Sequence, residues 1–416
     1  GIRISKKVDI QPYLDSFSYE LTGAQIRCIG EIEGDLESSR AMNRLVQGDV
    51  GSGKTAVAEA AMYKAVRGGC QAVMMAPTEI LAHQHFEGLR KSFAAHGIRV
   101  GFLSGSLKAS EKRKILEQLK DGQIDILVGT HAVIQPEVEF ARLGLVITDE
   151  QHRFGVNQRI RLKEKGQNPN VLVMTATPIP RTLAVVLYGD LDVSVLDEMP
   201  PGRQVIKTRN VTGEKREACY DFVEKQLQQG RQAYVVTPLI EDSDTLDLKS
   251  AQTVYEELAK RFAEYEVALI HGSMKQVEKD QVMQEFYRGE IDVLVATVVI
   301  EVGINVPNAS VIVIENAERF GLAQLHQLRG RVGRGRWQSY CFLITQSQSE
   351  LAQKRGEIMQ SSSDGFFIAE EDMKLRGPGD IFGTRQHGIP ELNVADLAKH
   401  LKIMEHARQE AKKIIA

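Results

Sequence analysis

The sequence predicts an α/β protein with two tandem parallel-sheet domains and a C-terminal helical extension. Short apolar runs alternate with helical stretches, the pattern breaks at 200–204, and the chain becomes polar and helical beyond 346. Continuous apolar runs suit strands that are buried on both faces of a parallel sheet, and the helical stretches suit βαβ crossovers. We therefore expect domains over 1–205 and 206–346 and the extension over 347–416.

Strands of both sheets are predicted from apolar runs that end in polar residues. In the first domain these runs are 42–47, 71–77, 124–130, 143–150 and 170–178. In the second domain they are 231–239, 266–272, 291–298, 309–317 and 339–345. In the extension, a Gly/Pro-rich segment at 375–383 precedes an amphipathic helical pattern from 394 onward.

The composition is that of an ordinary globular protein. The 416 residues are 43% hydrophobic and 26% charged, with a net charge of −3. This balance argues against a uniformly basic nucleic-acid coat but is compatible with a basic groove. The four cysteines lack metal-ligand spacing, which is typical of reduced thiols in the cytosol. No apolar run approaches the ~20 residues that span a bilayer, so we expect a cytoplasmic protein without a membrane partner.

The segment GDVGSGKT at 48–55 is typical of a phosphate-binding loop between a strand and a helix. Its glycines let successive backbone N–H groups turn toward one cluster of phosphates. Lys54 is expected to contact the β- and γ-phosphates, and Thr55 to bind Mg²⁺ through its hydroxyl. The predicted nucleotide-binding residues of the loop are Gly48, Gly51, Ser52, Gly53, Lys54 and Thr55.

Two further segments follow predicted strands of the first domain. Asp149 is the candidate for a second Mg²⁺ ligand, and Glu150 for the base that orients or deprotonates the attacking water. The alternative interpretation of this pair is a solvent-facing acidic turn. Thr175 and Thr177 can hydrogen-bond His152 and sense the γ-phosphate, although Thr-Pro turns are common.

The segment QLHQLRGRVGRG at 324–335 concentrates arginines among glycines. Arg331 and Arg334 are three positions apart and share a face if the segment is helical. Guanidinium groups stabilise charge on a transferred phosphoryl group, so both are candidate catalytic arginines contributed by the second domain. A solvated basic face or a contact with nucleic-acid phosphates is the alternative.

Together these motifs resemble those of superfamily 2 helicases, and the RecG family in particular. The segments 149–156, 174–183, 297–309 and 375–388 carry the resemblance, which extends from residue 21 to about 395. It implies two RecA-like lobes with ATP and Mg²⁺ bound in the cleft between them. Nothing before residue 20 resembles that family's N-terminal wedge domain, so we expect the motor core with its coupling hairpin.

The resemblance also assigns residues by position. Phe17 and Gln25 would read the adenine, and Gly303 and Asn305 would contact the nucleotide; many relatives have Asp where this chain has Asn305. Arg376 and Gln386 fall in a translocation-type hairpin and loop that would couple lobe closure to DNA movement. The residues that would grip DNA phosphates are Pro77, Thr78, Gly129, Thr130, His131, Thr237, Gly272 and Thr297.

The function implied is an ATP-dependent double-stranded DNA translocase that remodels stalled replication forks and branched recombination intermediates. The expected partners are branched or duplex DNA and a single-stranded DNA-binding protein, with the chain acting as a monomer. Three alternatives stay open: a transcription-repair coupling translocase, a clamp or scaffold that binds nucleotide without hydrolysing it, and an RNA helicase. Motor motifs discriminate poorly between nucleic acids because they contact backbone more than bases.

Overall fold

Two parallel sheets, each flanked by helices, form the core of the computed structural model of this chain. The structure describes residues 2–149, 162, 165–177, 191–201, 204–238, 244–297, 306–347, 349–376, 406 and 410. Within these described ranges, the first sheet has seven strands and the second has six. We call residues 2–201 lobe one and residues 204–347 lobe two.

Lobe one is built on a sheet with the strand order β3-β4-β2-β5-β6-β1-β7. Every pairing in it is parallel. Its strands are β1 Asn43–Gly48, β2 Gln71–Met75, β3 Val100–Leu103, β4 Ile126–Gly129, β5 Leu143–Thr148, β6 Asn170–Thr175 and β7 Asp192–Leu196. Its helices are α1 Gln11–Leu14, α2 Gly23–Leu36, α3 Lys54–Arg67, α4 Glu79–Ala94 and α5 Ala109–Lys120.

Lobe two repeats this architecture with the order β10-β11-β9-β12-β13-β8, again with parallel pairings throughout. Its strands are β8 Lys207–Thr212, β9 Gln232–Thr237, β10 Val267–Ile270, β11 Val293–Thr297, β12 Ala309–Ile314 and β13 Tyr340–Thr345. Its helices are α6 Arg216–Leu227, α7 Asp244–Arg261, α8 Gln276–Arg288 and α9 Leu322–Arg329. The helices α10 Glu350–Ser361 and α11 Gly365–Arg376 follow.

Every apolar run identified in the sequence is a strand, but β3, β7 and β8 were not expected. All three are edge strands of their sheets. An edge strand has a neighbour on one side only and need not form a continuous apolar run. In β8, for example, exposed and half-buried residues alternate, so the sequence KTRNVT gives no apolar signal.

The extension is helical as predicted, and α10 and α11 pack onto lobe two. Ile358, Met359 and Ile368 are buried in the same apolar cluster as β9 and β12. The predicted amphipathic helix from 394 onward lies outside the described residues except at 406 and 410, which are helical. The domain limits at 205 and 346 stay predictions.

The carboxyl edge of the first sheet collects the predicted nucleotide motifs. Strand β6 lies between β1 and β5, so the loop that follows β1 and the acidic segment that follows β5 flank Thr175 at the end of β6. At the equivalent edge of the second sheet, Thr237 and Thr297 are directly paired. Among the described residues, none of the helices is long and apolar enough to cross a membrane.

We predict that Gly129→Ala destabilises lobe one. A Cβ at residue 129 would lie 2.2 Å from the carbonyl oxygen of Leu103 in β3 and 2.7 Å from Cγ1 of Val133. Overpacking of this kind costs about 1–3 kcal/mol, so the melting temperature should fall. The control is Gly30→Ala in α2, where a Cβ would have nothing within 4 Å and should leave the melting temperature unchanged or raise it. Equal melting temperatures for the two variants would contradict the packing described for β4.

Candidate nucleotide site between the two lobes

The loop at 48–55 connects β1 to α3 through left-handed glycines. Gly51 and Gly53 have φ angles of +79° and +83°, which non-glycine residues adopt rarely. Gly53 is the residue that caps the N-terminus of α3. The backbone therefore turns sharply and directs the first turn of α3 toward the carboxyl edge of the sheet, where the helix dipole favours an anion.

Lys54 lies inside this loop. Its Nζ donates hydrogen bonds to the carbonyl oxygens of Gly48 and Asp49, each at 2.8 Å. Thr55 follows with its side chain exposed, and Ser52 is fully buried. The ammonium group of Lys54 is thus held by the backbone of the loop that is expected to bind phosphate.

Gln25 joins the N-terminal segment to the loop. Its Nε2 donates to the carbonyl oxygen of Ser52 at 3.0 Å, and its Oε1 accepts from the backbone N–H of Thr22 at 2.8 Å. Phe17 is half-buried, with its ring centroid 5.2 Å from that of Tyr13. Gln25 thus contacts the loop, whereas Phe17 packs on Tyr13 of α1. The contact of either residue with adenine stays a prediction.

Asp149 is buried where β5 ends. Its backbone N–H donates to the carbonyl oxygen of Met75, and its Oδ2 lies 2.9 Å from Nε2 of His85 in α4. His85 could not be singled out from the sequence, because this contact joins side chains that are 64 positions apart. The neighbouring helix α3 contributes Glu59, whose carboxylate accepts a hydrogen bond from the Tyr13 hydroxyl at 2.8 Å. Burial raises the pKa of Glu59 above its usual range, although hydrogen bonds from Tyr13 and Ser92 and the charge of His85 lower it.

Thr177, two residues beyond the end of β6, contacts lobe two. Oγ1 of Thr175 accepts a hydrogen bond from the backbone N–H of Thr177 at 3.2 Å. Oγ1 of Thr177 accepts one from Nε2 of Gln327 at 2.8 Å. His152, their predicted partner, lies outside the described residues, and the partner that the structure provides is Gln327 on α9.

Arg331 and Arg334 were expected to share a face only if their segment is helical, and it is not. Helix α9 ends at Arg329, and Arg331 and Arg334 lie in the turn beyond it. Gly330 caps the helix, and the turn beyond it contains Gly333, which has a φ of +80°, and Gly335, where a Cβ would lie 2.0 Å from the carbonyl oxygen of Pro307.

This turn lies against the phosphate-binding loop. A Cβ at Gly330 would be 3.0–3.2 Å from the side-chain atoms of Val50, which is tighter than an ordinary contact, so glycine suits this close approach of the turn to the Val50 side chain. Arg331 is buried, and Nε of Arg334 donates to the carbonyl oxygen of Gly330 at 3.1 Å. Burial raises the pKa of Tyr234 to about 12, while the charges of Arg331 and Arg334 act in the opposite direction.

A further contact between the lobes could not be predicted from the sequence. Asp49 in the loop and His326 in α9 are buried, with Oδ1 and Nε2 2.6 Å apart. Nδ1 of His326 is 3.0 Å from Nη2 of Arg329. Arg329 therefore belongs to a buried network between the lobes.

The predicted DNA-gripping residues lie at or just beyond the carboxyl edges of the two sheets. Thr78 caps α4 by accepting a hydrogen bond from the N–H of Leu81, and Gly129 ends β4 with Thr130 and His131 next in the chain. In lobe two, Thr237 and Thr297 are each 1% exposed, and the carbonyl oxygen of Gly272 accepts from Nζ of Lys279. Among the described residues, the hydroxyls of Thr237 and Thr297 have no hydrogen-bond partner.

The remaining predicted site residues lie outside the part of the chain that the structure describes. These are Glu150, His152, Gly303, Asn305 and Gln386. Arg376 is the last residue of α11, and only its side chain lies outside the described part.

Comparisons with known proteins identify the family of each segment. The DEAD/DEAH box helicase family matches residues 22–186, and the helicase conserved C-terminal domain matches 214–336. The C-terminal part of domain 3 of ATP-dependent DNA helicase RecG matches 362–416. The segment that contains α11 thus matches a RecG-specific family, beyond the general helicase motor.

Curated relatives named ATP-dependent DNA helicase RecG match nearly all of the chain. The Streptococcus pneumoniae protein is 55% identical over 95% of this chain, and the Bacillus subtilis protein is 52% identical over 98%. The chain spans 59% and 60% of the length of these two relatives.

Solved structures agree with the two-lobe fold. A structure of RecG bound to a three-way DNA junction has a TM-score of 0.84 and 48% identity, and the match covers 97% of this chain and 53% of that one. Mss116p bound to single-stranded RNA and AMP-PNP has a TM-score of 0.62 at 16% identity, covering 97% of this chain and 90% of that one, which is a likeness of fold alone. The two parallel-sheet lobes are RecA-like, and over nearly its whole length the chain is similar to proteins named ATP-dependent DNA helicase RecG, which confirms the resemblance found in its motifs.

Proposed function

We propose that this chain is an ATP-driven double-stranded DNA translocase that remodels stalled forks and branched recombination intermediates by fork regression and branch migration. The observation that carries the proposal is the close packing of the arginine-bearing turn of lobe two, through Gly330, on Val50 in the loop of lobe one. A nucleotide held by that loop would lie between the two lobes, so its binding and hydrolysis would change how they pack. The relative solved with a three-way DNA junction supports branched DNA as the substrate.

Hydrolysis is assigned to residues from both lobes. Lys54 would hold the β- and γ-phosphates, and Glu150 would orient or deprotonate the attacking water. Arg331 and Arg334 would stabilise the charge that develops on the transferred phosphoryl group. Because these arginines lie on lobe two, the site is complete only when the lobes are closed.

Thr55 and Asp149 offer a hydroxyl and a carboxylate oxygen, which are hard ligands that suit Mg²⁺. Asp149 is buried at the end of β5, one strand removed from the strand that leads into the loop. Within the described residues, no group of three or more acidic, histidine or cysteine side chains could hold a metal. This fits an ion bound by few protein ligands together with phosphate oxygens and water; when bound, it neutralises charge on those phosphates.

The remaining nucleotide and coupling roles follow the family motifs. Phe17, Gln25, Gly303 and Asn305 are proposed to contact the nucleotide. The residues proposed to couple its state to movement are His152, Thr175, Thr177, Arg376 and Gln386. The Thr177–Gln327 hydrogen bond between the lobes supports such a role for the segment after β6.

The DNA grip is proposed to alternate between the two carboxyl edges. Lobe one would contribute Pro77, Thr78, Gly129, Thr130 and His131. Lobe two would contribute Thr237, Gly272 and Thr297, which requires the two buried threonine hydroxyls to become accessible when DNA binds. Contacts with phosphates carry no sequence information, in keeping with a motor that moves along any duplex.

The proposed domain limits are 1–205, 206–346 and 347–416.

The oligomeric state, cellular location and further partner of the chain are also part of the proposal. A monomeric motor is supported by the site being shared between two lobes of one chain, and a cytoplasmic location by four buried, unpaired cysteines. A single-stranded DNA-binding protein as a further partner follows from the family alone. The RecG-specific match at 362–416 favours this family over the transcription-repair coupling translocase.

We predict that branched and linear duplex DNA stimulate ATP hydrolysis more strongly than RNA of equal length. Counterion release makes phosphate contacts salt-dependent, so half-maximal stimulation should need more DNA as salt rises. Steady-state ATPase titrations with the four nucleic acids, namely fork, duplex, single-stranded DNA and RNA, test this at two salt concentrations. Equal stimulation by RNA would favour the RNA helicase alternative, and hydrolysis without any nucleic-acid response would exclude a translocase.

We predict that Lys54→Ala abolishes ATP turnover, because the variant lacks the ammonium that holds the phosphates. The matched control is Lys225→Ala, which removes an exposed lysine from α6. Turnover should be lost in the first variant and unchanged in the second, with equal melting temperatures. Normal turnover in Lys54→Ala would rule out the loop as the phosphate site.

We predict that Arg334→Ala lowers turnover by roughly 10³-fold while ATP affinity stays within a few-fold, the range known for arginine fingers. Arg113→Ala is the control, since that guanidinium lies on α5 with its side chain 83% exposed. Turnover and nucleotide affinity are measured separately for each variant. If Arg334→Ala instead hydrolysed ATP normally and lost DNA binding, this arginine would be a phosphate grip.

A further inference from the structure

Asp49 has a property that phosphate binding does not explain. It is the second residue of the phosphate-binding loop, and it places a buried carboxylate, 8% exposed, where a polyanion is to bind. Like charges in one site repel each other strongly when water is excluded. A side chain that opposes nucleotide binding in this way needs another role to account for it.

Three donors from three separate segments converge on this carboxylate. Oδ1 accepts from the backbone N–H of Val50 in the same loop at 2.6 Å and lies 2.6 Å from Nε2 of His326 in lobe two. Oδ2 accepts from the backbone N–H of Gly365, the first residue of α11, at 3.2 Å. Burial alone would raise the pKa of Asp49, but the contacts with His326 and Val50 and the charge of Lys54 lower it below its usual value. The group is therefore an anion clamped between three parts of the chain.

The contact with His326 continues to the end of α10. Nδ1 of His326 is 3.0 Å from Nη2 of Arg329, whose Nη1 donates to the carbonyl oxygens of Met359 and Ser362 at 2.7 and 2.8 Å. A neutral imidazole with its proton on Nε2 satisfies both neighbours, accepting from Arg329 and donating to Asp49. Hydrogen bonds therefore connect the end of α10 to Asp49 through Arg329 and His326 without a break.

Asp49 is also linked to the proposed phosphate-binding lysine. Nζ of Lys54 donates to the Asp49 carbonyl oxygen at 2.8 Å. A phosphate bound by Lys54 would compete for that ammonium and would bring negative charge near the Asp49 carboxylate. Nucleotide binding therefore acts on residue 49 through its backbone and its side chain together.

We propose that Asp49 is a positioning residue that transmits nucleotide occupancy of the loop to helices α10 and α11, directly through Gly365 and indirectly through His326 and Arg329. The inference rests on the proposed function, because it requires the loop to bind nucleotide. Helix α11 begins at Gly365 and ends at Arg376, one of the residues proposed to couple nucleotide state to movement. A displacement of residue 49 would thus move the N-terminus of the helix that carries Arg376.

The test is hydrogen–deuterium exchange of the whole chain with and without Mg²⁺ and AMP-PNP. In the parental chain, nucleotide should change exchange in peptides covering the loop and in peptides covering 356–370. Asp49→Asn keeps the size of the side chain but removes its charge. We expect it to keep the response of the loop and to reduce the response of 356–370 by about tenfold, the scale of a lost charge-assisted hydrogen bond.

Asp364→Asn is the matched control. Asp364 accepts from the backbone N–H of Phe366 at 2.8 Å at the start of α11, one residue from the Asp49 contact, and Asn serves equally well at such a position. This variant should retain the full response of 356–370. His326→Asn is the second variant, because its shorter side chain breaks the contacts with both Asp49 and Arg329. It should reduce the response of 356–370 in part, since the direct contact between Asp49 and Gly365 remains, and it tests the transmission even if Asp49→Asn fails to fold.

The outcomes separate the two proposals. An unchanged response of 356–370 in Asp49→Asn or His326→Asn, with the loop still responding, would overturn the transmission and leave the proposed function intact. A parental chain whose loop does not respond to nucleotide would overturn the proposed function and the transmission with it.

Discussion

Both sheets consist of parallel strands, and the arrangement of the site depends on that constraint. Parallel strands all end at one edge, so segments that are far apart in sequence come together there without any pairing between them. The loop after β1, Asp149 after β5 and Thr175 at the end of β6 meet at one edge in this way. In lobe two the same rule brings Thr237 and Thr297 together. The chemistry is thus concentrated where the βα connections lie.

The loop is held by helix α2 before it meets any ligand. Arg44 on β1 forms ion pairs with Glu31 and Asp35 of α2, and Lys64 on α3 forms ion pairs with Glu33 and Glu37 of the same region. Gln25 on α2 contacts the loop itself. Half-buried charges of this kind are costly when one partner is removed, so they favour one relative position of the three elements. The two elements that flank the loop are therefore fixed to a common support.

The interior of both sheets could be predicted from the sequence, and the contacts between the lobes could not. Interior strands such as β2 and β9 are apolar on both faces, which the sequence records directly, whereas β3, β7 and β8 have only one neighbouring strand and give a weaker signal. The glycine loop could be found because its spacing is local. Asp49 and His326 are 277 positions apart, and neither residue is unusual until the fold brings them together. The position of Arg331 and Arg334 beyond α9 depends on the end of that helix at Arg329, which a count of helical spacing does not show.

The burial of Ile358, Met359 and Ile368 in the apolar cluster of lobe two has a consequence for how the chain can be divided. A fragment that stops after β13 would keep all the strands of the second sheet and yet leave that cluster uncovered, with apolar surface available for self-association. Helices α10 and α11 are in that sense part of the folding unit of lobe two rather than an appendage to it. Since Arg329 of that lobe also binds the carbonyl oxygens of Met359 and Ser362, a truncated lobe would lose the partners of a buried guanidinium as well. A fragment of the second lobe therefore retains these contacts only if it includes both helices.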